Sequence, residues 1–339
     1  MTPRARGFRM PAEWEPHEAT WIAWPHNRDD WPGRFAPIPW VYAEIVRKLS
    51  RVERVRILVE NATLKAQARR ILAKAGAVMN AVEFFTRPTN RVWTRDYGPL
   101  FVRNARGKIA LTTWRFNAWA KYDDWQADAA VPSFIAKKLK LPMWSGDMVL
   151  EGGSIDVNGR GLLLTTEECL LSPVQARNPG MSRAAIEQKL RAYLGIDRVI
   201  WLRNGIAGDD THGHVDDIAR FVSADTVVAA AEPDRSDANH APLRENHALL
   251  RAAGLRVVKL PMPAPLIFSG QRLPASYANF YIANELVLVP TFNDPNDRVA
   301  LSTLARLFPD REVTGIDCTE LIWGLGALHC MTQQQPACS

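Results

Sequence analysis

The chain has 339 residues, 47% hydrophobic and 23% charged, an ordinary globular balance with length enough for a sizeable core. No apolar run approaches the roughly 20 residues that span a bilayer, and the basic start from Met1 to Met10 lacks the apolar segment of a secretory signal. A net charge of +6 raises the prospect of a polyanionic partner, but Lys and Arg are scattered, with Arg69-Arg70 and Lys137-Lys138 the longest clusters, so neither nucleic acid nor membrane is expected as a partner.

Four cysteines, Cys169, Cys318, Cys330 and Cys338, form no CxxC pair and no zinc-type spacing, which fits free thiols in a reducing cytoplasm. Most of the twelve tryptophans lie in apolar context and read as core or pocket wall rather than as stacking platforms for bases.

In chain order, residues 1–51 form a Trp- and Pro-rich opening, with a short strand expected over Thr20 to Trp24 and a helix over Trp40 to Leu49. From about residue 52 to 336 one pattern recurs five times: strand, polar loop, amphipathic helix, strand. The first copy has a strand at Val55, a helix from Thr63 to Ala75 ended by Gly76, and a strand at Val82. The second has a strand from Lys108 to Trp114, a helix near Ala129 to Leu139, and a strand from Leu141 to Trp144. The third has a strand at Leu162, a helix from Ser182 to Leu194 ended by Gly195, and a strand from Arg198 to Leu202. Ser182 is a fair N-cap there, and Ile186, Leu190, Tyr193 and Leu194 form one helical stripe. The fourth has a strand at Thr226, a helix from Arg244 to Ala253, and a strand from Arg256 to Leu260. The fifth has a strand from Leu286 to Pro290, a helix from Asn296 to Phe308, and a strand from Arg311 to Gly315. No Gly-, Ser- or Pro-rich linker separates the copies, so residues 1–339 read as a single α/β domain of five pseudo-symmetric ββαβ-type units around a central pocket.

The unusual polar chemistry follows the second strands. It comprises Trp93-Thr-Arg95-Asp96, Glu151-Gly152-Gly153-Ser154, the run from Gly208 to Asp217, and His329-Cys330 after a run from Thr319 to Trp323 that reads as strand-like. The fourth exit, with Tyr277-Ala-Asn279, reads as structural. Reactive loops at equivalent places in a repeat point to one shared active site. Each piece alone has a plainer reading: Asp96 as a turn or ion-pair residue, Glu151 as a loop carboxylate, Cys330 as a partly buried thiol.

Two chemistries fit together with these loops. If residues 212–216 are extended, His212, His214 and Asp216 share a face and resemble part of a zinc run, with Asp217 where a further histidine would stand; that reading makes the protein a metal-dependent hydrolase. The other is a thiol nucleophile, Cys330, served by His214 as acid or base. Carboxylates around a thiolate repel anions, so the electrophile must be a cation, and a guanidinium suits by its planar charge and its paired N–H donors. Trp93 would line such a pocket.

The residues resemble the agmatine deiminase and Porphyromonas-type peptidylarginine deiminase family of the guanidino-group-modifying superfamily. The likeness runs along nearly the whole chain, in Met10-Pro-Ala-Glu-Trp-Glu-Pro-His-Glu-Ala-Thr-Trp, Trp93-Thr-Arg-Asp-Tyr-Gly-Pro, Phe116-Asn-Ala-Trp, Glu151-Gly-Gly-Ser-Ile, Leu164-Thr-Thr-Glu-Glu-Cys-Leu-Leu, Gly213-His-Val-Asp and His329-Cys-Met-Thr-Gln-Gln-Gln-Pro. The resemblance implies a five-bladed α/β propeller, the pentein fold, and a hydrolase acting on a C–N bond of a linear amidine, with no metal or organic cofactor. By it, Cys330 attacks the guanidinium carbon, Asp96 and Asp216 hold its nitrogens, His214 serves as acid and base, Glu151 and Trp93 belong to the pocket, and Asp210 faces a distal amine. The implied reaction is agmatine and water to N-carbamoylputrescine and ammonia, in polyamine biosynthesis.

The chain departs from agmatine deiminases at Gly324-Leu-Gly-Ala-Leu, at Asn90-Arg91-Val92, at His212 and in a short segment after Trp119. Free arginine, peptidyl-arginine and other guanidines therefore stay open as substrates. So do self-association into a homo-oligomer, the effect of Arg91, and a pairing of Cys338 with Cys330.

Overall fold

A computed structural model describes residues 1–338 and shows mixed α/β architecture. Five sheets of three or four strands account for the repeats, and a two-stranded hairpin, Ile267–Phe268 with Gln271–Arg272, is additional. In four of the units a strand running antiparallel leads into the parallel pair that the sequence pattern shows. Leu100–Asn104, Asp156–Val157, Ala219–Phe221 and Tyr281–Ile282 are these leading strands. The last three are only two or three residues long, too short to show a period.

The third unit illustrates why the pattern folds as it does. Leu162–Thr166 and Arg198–Leu202 pair in parallel from Leu162 opposite Arg198. A parallel pair needs a crossover, and the helix Arg183–Leu194 supplies it. The Ser182 side chain accepts from the Ala185 N–H at its start, and Gly195 closes it in the left-handed region at φ 69°. Ile186, Leu190 and Leu194 are fully buried, each contributing about 1.5–3 kcal/mol by leaving water.

The first sheet draws in residues outside the expected 52–336. Its order is Gln333–Pro336, His17–Ala23, Arg54–Val59, Val82–Thr86, so both ends of the chain meet in one sheet and the series of units closes. That closure carries the polar run Gln333 to Gln335 into the interior. The helix Ile38–Leu49 and the helix Ala62–Ala75 cover this sheet, the latter capped by Asn61.

Two expectations change. The run Thr319 to Trp323 is a turn of 3-10 helix at Leu321–Gly324 rather than a strand; Leu321 and Ile322 are apolar because both are buried in the turn. The fourth helix starts at His240 rather than Arg244, since Pro242 falls within the first turn, where no N–H is needed. The tryptophans divide as expected: Trp21, Trp24, Trp31, Trp93 and Trp119 belong to the largest apolar core, Trp114 and Trp201 to a second one. No helix among the described residues is long and apolar enough to cross a membrane.

Candidate active site

Loops following the outer strands converge on a cavity of about 350 Å³ lined by Trp93, Asp96, Trp119, Tyr122, Asp210, Trp323, Gly326 and Cys330 among others. Five aspartates, Asp29, Asp30, Asp96, Asp124 and Asp210, face it against one arginine, Arg91, so an acidic pocket sits in a basic protein. Such a field concentrates cations.

Cys330 forms part of the floor. Asn279 clamps it: Nδ2 donates to Sγ at 3.1 Å, while Oδ1 accepts from the backbone N–H of His329 at 2.9 Å and of Cys330 at 3.3 Å. Arg95, itself buried, braces the same segment: its side chain donates to Gln333 and Gln334 at 2.8 and 2.6 Å, and its backbone N–H donates to the Cys330 carbonyl at 3.1 Å. Asp96 stands on the short helix Thr94–Tyr97, its Oδ2 accepting from Trp119 Nε1 at 2.9 Å and its Oδ1 from the Gly153 N–H at 3.0 Å.

His214, Asp216 and Glu151 lie beside this floor, all fully buried. His214 Nδ1 is 3.7 Å from Asp96 Oδ1 and its Nε2 is 3.8 Å from Glu151 Oε2, both longer than hydrogen bonds. Asp216 Oδ2 is 3.8 Å from the Cys330 sulfur and 2.6 Å from His329 Nδ1. Gly153 stands at the centre. Its Cα approaches the group so closely that a Cβ would lie 2.6 Å from His214 Nδ1, 2.8 Å from Asp96 Oδ1 and 3.0 Å from Asp216 Oδ2. Only hydrogen fits there.

Four buried polar atoms at this spot have no hydrogen-bond partner: both ring nitrogens of His214, Asp216 Oδ1 and Glu151 Oε2. Buried polar atoms are nearly always paired, at a cost of about 1–3 kcal/mol each otherwise, and clusters of exceptions mark functional sites. The charges are set by their neighbours. Burial raises the Asp96 carboxyl to about 6, with the adjacent His214 acting against it. Burial also opposes ionisation of Asp216, but the hydrogen bond and charge of His329 outweigh it and hold the group below the usual carboxylate range. For Glu151, burial is likewise outweighed, by Arg177 at 3.0 Å and by His214, and its carboxyl falls to about 2. Burial alone would make His214 a weaker base, yet Asp96, Cys169 and Glu151 together push it well above the usual imidazole value. The Cys330 thiol is pushed well up, by burial first and then by Asp216, Asp217 and Asp96.

Cys330, His214, Asp96, Asp216 and Glu151 are thus brought together; Cys330 and Asp96 line the cavity, while His214, Asp216 and Glu151 lie behind them. Trp93 is on the wall, 5.7 Å from Trp31. Asp210 stands at the outer end of the cavity, already bound to Lys121 and accepting from Tyr122 Oη at 2.7 Å. Arg91 also lines the cavity, held by Asp124 at 2.8 Å and stacked over Tyr122. Cys338 is an exposed free thiol, so it makes no pair with Cys330.

The run His212, His214, Asp216 does not assemble. His212 takes φ 61° and Gly213 φ 94°, so the segment is turned rather than extended, and His212 points to Ser172 at 3.0 Å. Among the described residues, the ligand-type side chains that do converge are Glu151, Cys169 and His214. That correction removes the geometric basis of the metal run.

Three supporting residues escaped the sequence reading. Asn279 reads as structural in the sequence. His329 bridges Asp216 to Glu13, whose Oε2 is 2.8 Å from Nε2, and Glu13 is further bound by Arg220 at 2.9 Å and Arg95 at 3.3 Å. Glu13 has no signal beyond its place in a motif quoted above, while His329 also stands in the His329-Cys330 exit but without an assigned role.

The family model for Porphyromonas-type peptidyl-arginine deiminases matches residues 9–336. The chain belongs to that family. An agmatine deiminase of Pseudomonas aeruginosa is 39% identical over 99% of this chain and 97% of its own, and one of Medicago truncatula is 37% identical over 99% and 98%. A solved agmatine deiminase of Enterococcus faecalis superposes with TM-score 0.93 at 34% identity, covering all of this chain and 98% of its own. The fold of this family member, like its sequence, is therefore shared from end to end with hydrolases of C–N bonds.

Proposed function

We propose that this protein is a cysteine-dependent deiminase that converts agmatine and water to N-carbamoylputrescine and ammonia. The observation that carries the reading is the group of unpartnered buried atoms of His214, Asp216 and Glu151 around Gly153, beside the Cys330 thiol and Asp96. A guanidinium offers donors for Asp96 and Asp216 and brings a positive charge to three aspartates that otherwise hold Cys330 protonated. Binding the cation thus favours the thiolate, and the thiol proton leaves to solvent.

The thiolate then adds to the guanidinium carbon. His214, protonated at the start, gives its proton to one nitrogen, and ammonia departs as the C–N bond breaks, leaving a thiouronium on Cys330. Neutral His214 takes a proton from water, whose oxygen adds to the same carbon. Breaking the C–S bond returns the thiolate and a protonated ureido group, which loses its extra proton to ammonia. Glu151 and Asp96 hold the imidazolium between them, and Asn279 orients the sulfur. At the outer end, Asp210 is placed to meet the tail ammonium, and the Lys121 amine already bound there supports its ability to hold one. Trp93 forms an apolar wall for the carbon chain. Four free cysteines suit a cytoplasmic setting.

The test is ureido-product and ammonia release from agmatine, arginine and an arginyl peptide. Turnover of agmatine, reduced at least about 10⁴-fold by Cys330→Ser, is expected. Turnover that survives Cys330→Ser would sink the mechanism; a preference for arginine or the peptide would replace the substrate.

A further inference from the structure

The tail carboxylate of the proposed site is not free. Asp210 uses one oxygen for the Lys121 ammonium and the other for the Tyr122 hydroxyl. Both donors come from one segment whose path is unusual: Ala118, Trp119 and Ala120 have φ of 47°, 59° and 53°, three successive non-glycine residues in the left-handed region. Each such residue costs about 1–2 kcal/mol, so the segment holds this path because other contacts fix it. Asn117 Oδ1 accepts from the Ala120 N–H at 3.1 Å, and Gln175 Nε2 donates to both the Trp119 and Asp210 carbonyls at 3.2 and 3.1 Å. Its inner end fixes Asp96 through Trp119, and its outer end delivers Lys121 to Asp210.

We propose that Lys121 is a specificity-determining residue: its ammonium occupies Asp210 in the free protein, and a substrate whose tail ends in a cation must displace it. The proposal rests on the reading of Asp210 given above. Lys121 is suited to the part because its side chain is 41% exposed, so the displaced ammonium swings into water and gives up, besides Asp210, only its place 5.5 Å from the Tyr122 ring centroid. Arg91 is not a rival for the role, since Asp124 accepts from it twice, through a side-chain oxygen and its carbonyl, each at 2.8 Å. A half-exposed ion pair is weak enough for a bound ligand to replace, yet its loss is subtracted from every amine-tailed substrate. A guanidine with a plain alkyl tail escapes that cost.

The experiment compares kcat/KM for agmatine and n-butylguanidine, which lacks the terminal ammonium, in the wild type, Lys121→Met and Lys121→Arg. The Met variant is expected to raise the agmatine-to-butylguanidine ratio about three- to tenfold, through KM and not kcat, while Arg restores the wild-type ratio. A ratio that is unchanged or lower in Lys121→Met overturns the proposal while leaving the deiminase reading intact. 4-Guanidinobutanoate serves as a third substrate: if Lys121→Met abolishes turnover of this carboxylate, Lys121 recognises a substrate anion and the proposal is likewise overturned. Failure of the wild type to turn over any of the three would overturn the agmatine reading on which this inference rests, and the inference with it.

Discussion

The two ends of the pocket are built on opposite principles. At the inner end, Asp216 Oδ1, Glu151 Oε2 and both nitrogens of His214 are buried without partners, and Asp96 is held near 6 by its burial. At the outer end most charges are paired within the chain, Asp210 with Lys121 and Arg91 with Asp124 and Asp30, leaving, among the described residues, Asp29 outside any ion pair and one Asp30 oxygen without a partner. Unpartnered buried groups are costly, and a fold keeps them where a ligand or a reaction uses them. The partly exposed Lys121–Asp210 pair is cheap to keep and cheap to exchange, whereas Arg91 is buried against Asp30. The chemistry is thus fixed by the inner end, and the choice of tail is left to pairs that single substitutions can alter.

The sharpest way to break this contrast is to fill the inner end. Gly153 has no left-handed backbone requirement, so Gly153→Ala is permitted by the main chain and opposed only by His214, Asp96 and Asp216. We expect turnover to fall about 10²- to 10³-fold with the far-ultraviolet circular dichroism unchanged, consistent with an ångström-scale misplacement of reacting groups. A fully active alanine variant would mean that the three side chains do not surround the reacting carbon.

A smaller effect sharpens the electrostatics. After burial, Asp216 does the most to keep the Cys330 thiol protonated. Asp216→Asn removes that charge, so the pH midpoint for alkylation of Cys330 by iodoacetamide should fall by about one unit or more, read by mass spectrometry of the Cys330 peptide to separate it from exposed Cys338. The sign follows from repulsion: an anion beside a thiolate raises its pKa, and its removal lowers it. A midpoint that stays or rises would show that the 3.8 Å contact between Asp216 and the sulfur does not govern ionisation.

How much of this was legible in the sequence follows the same division. The helix Arg183–Leu194 and its caps were readable because a capping serine, a period of 3.6 and a closing glycine are local signals. The inner residues were readable because each lies in a loop where charged or thiol groups interrupt apolar strands. Asn279 was not, since its neighbours Tyr277, Ala278, Phe280 and Tyr281 are all buried and its partner Cys330 lies 51 positions away. His212 misled because alternation assumes an extended chain, and Gly213 at φ 94° breaks that assumption. The Lys121–Asp210 pair joins two loops 89 positions apart and leaves no pattern in either one. Closure of the first sheet by Gln333–Pro336 was hidden for a related reason: a strand of three glutamines and a proline carries no apolar period.

The smallest effects come from deleting one donor at each end of the same segment. Trp119→Phe removes the hydrogen bond that lowers the Asp96 pKa, so Asp96 should titrate above its present value near 6. Protonated Asp96 cannot pair with a guanidinium; in the wild type KM should therefore rise as pH falls through about 6, and in Trp119→Phe the rise should begin at higher pH. At pH 7 we expect kcat/KM to drop about tenfold, the value of a charge-assisted hydrogen bond. Tyr122→Phe removes the equivalent donor from Asp210, which keeps Lys121 and is not fully buried. There the change should stay within about threefold, in KM alone, with no shift of the pH profile. If the two variants behaved alike, the inner and outer ends would not differ in how strongly each depends on its own hydrogen bonds, and the specificity of the pocket would have to be sought in the shape of its walls.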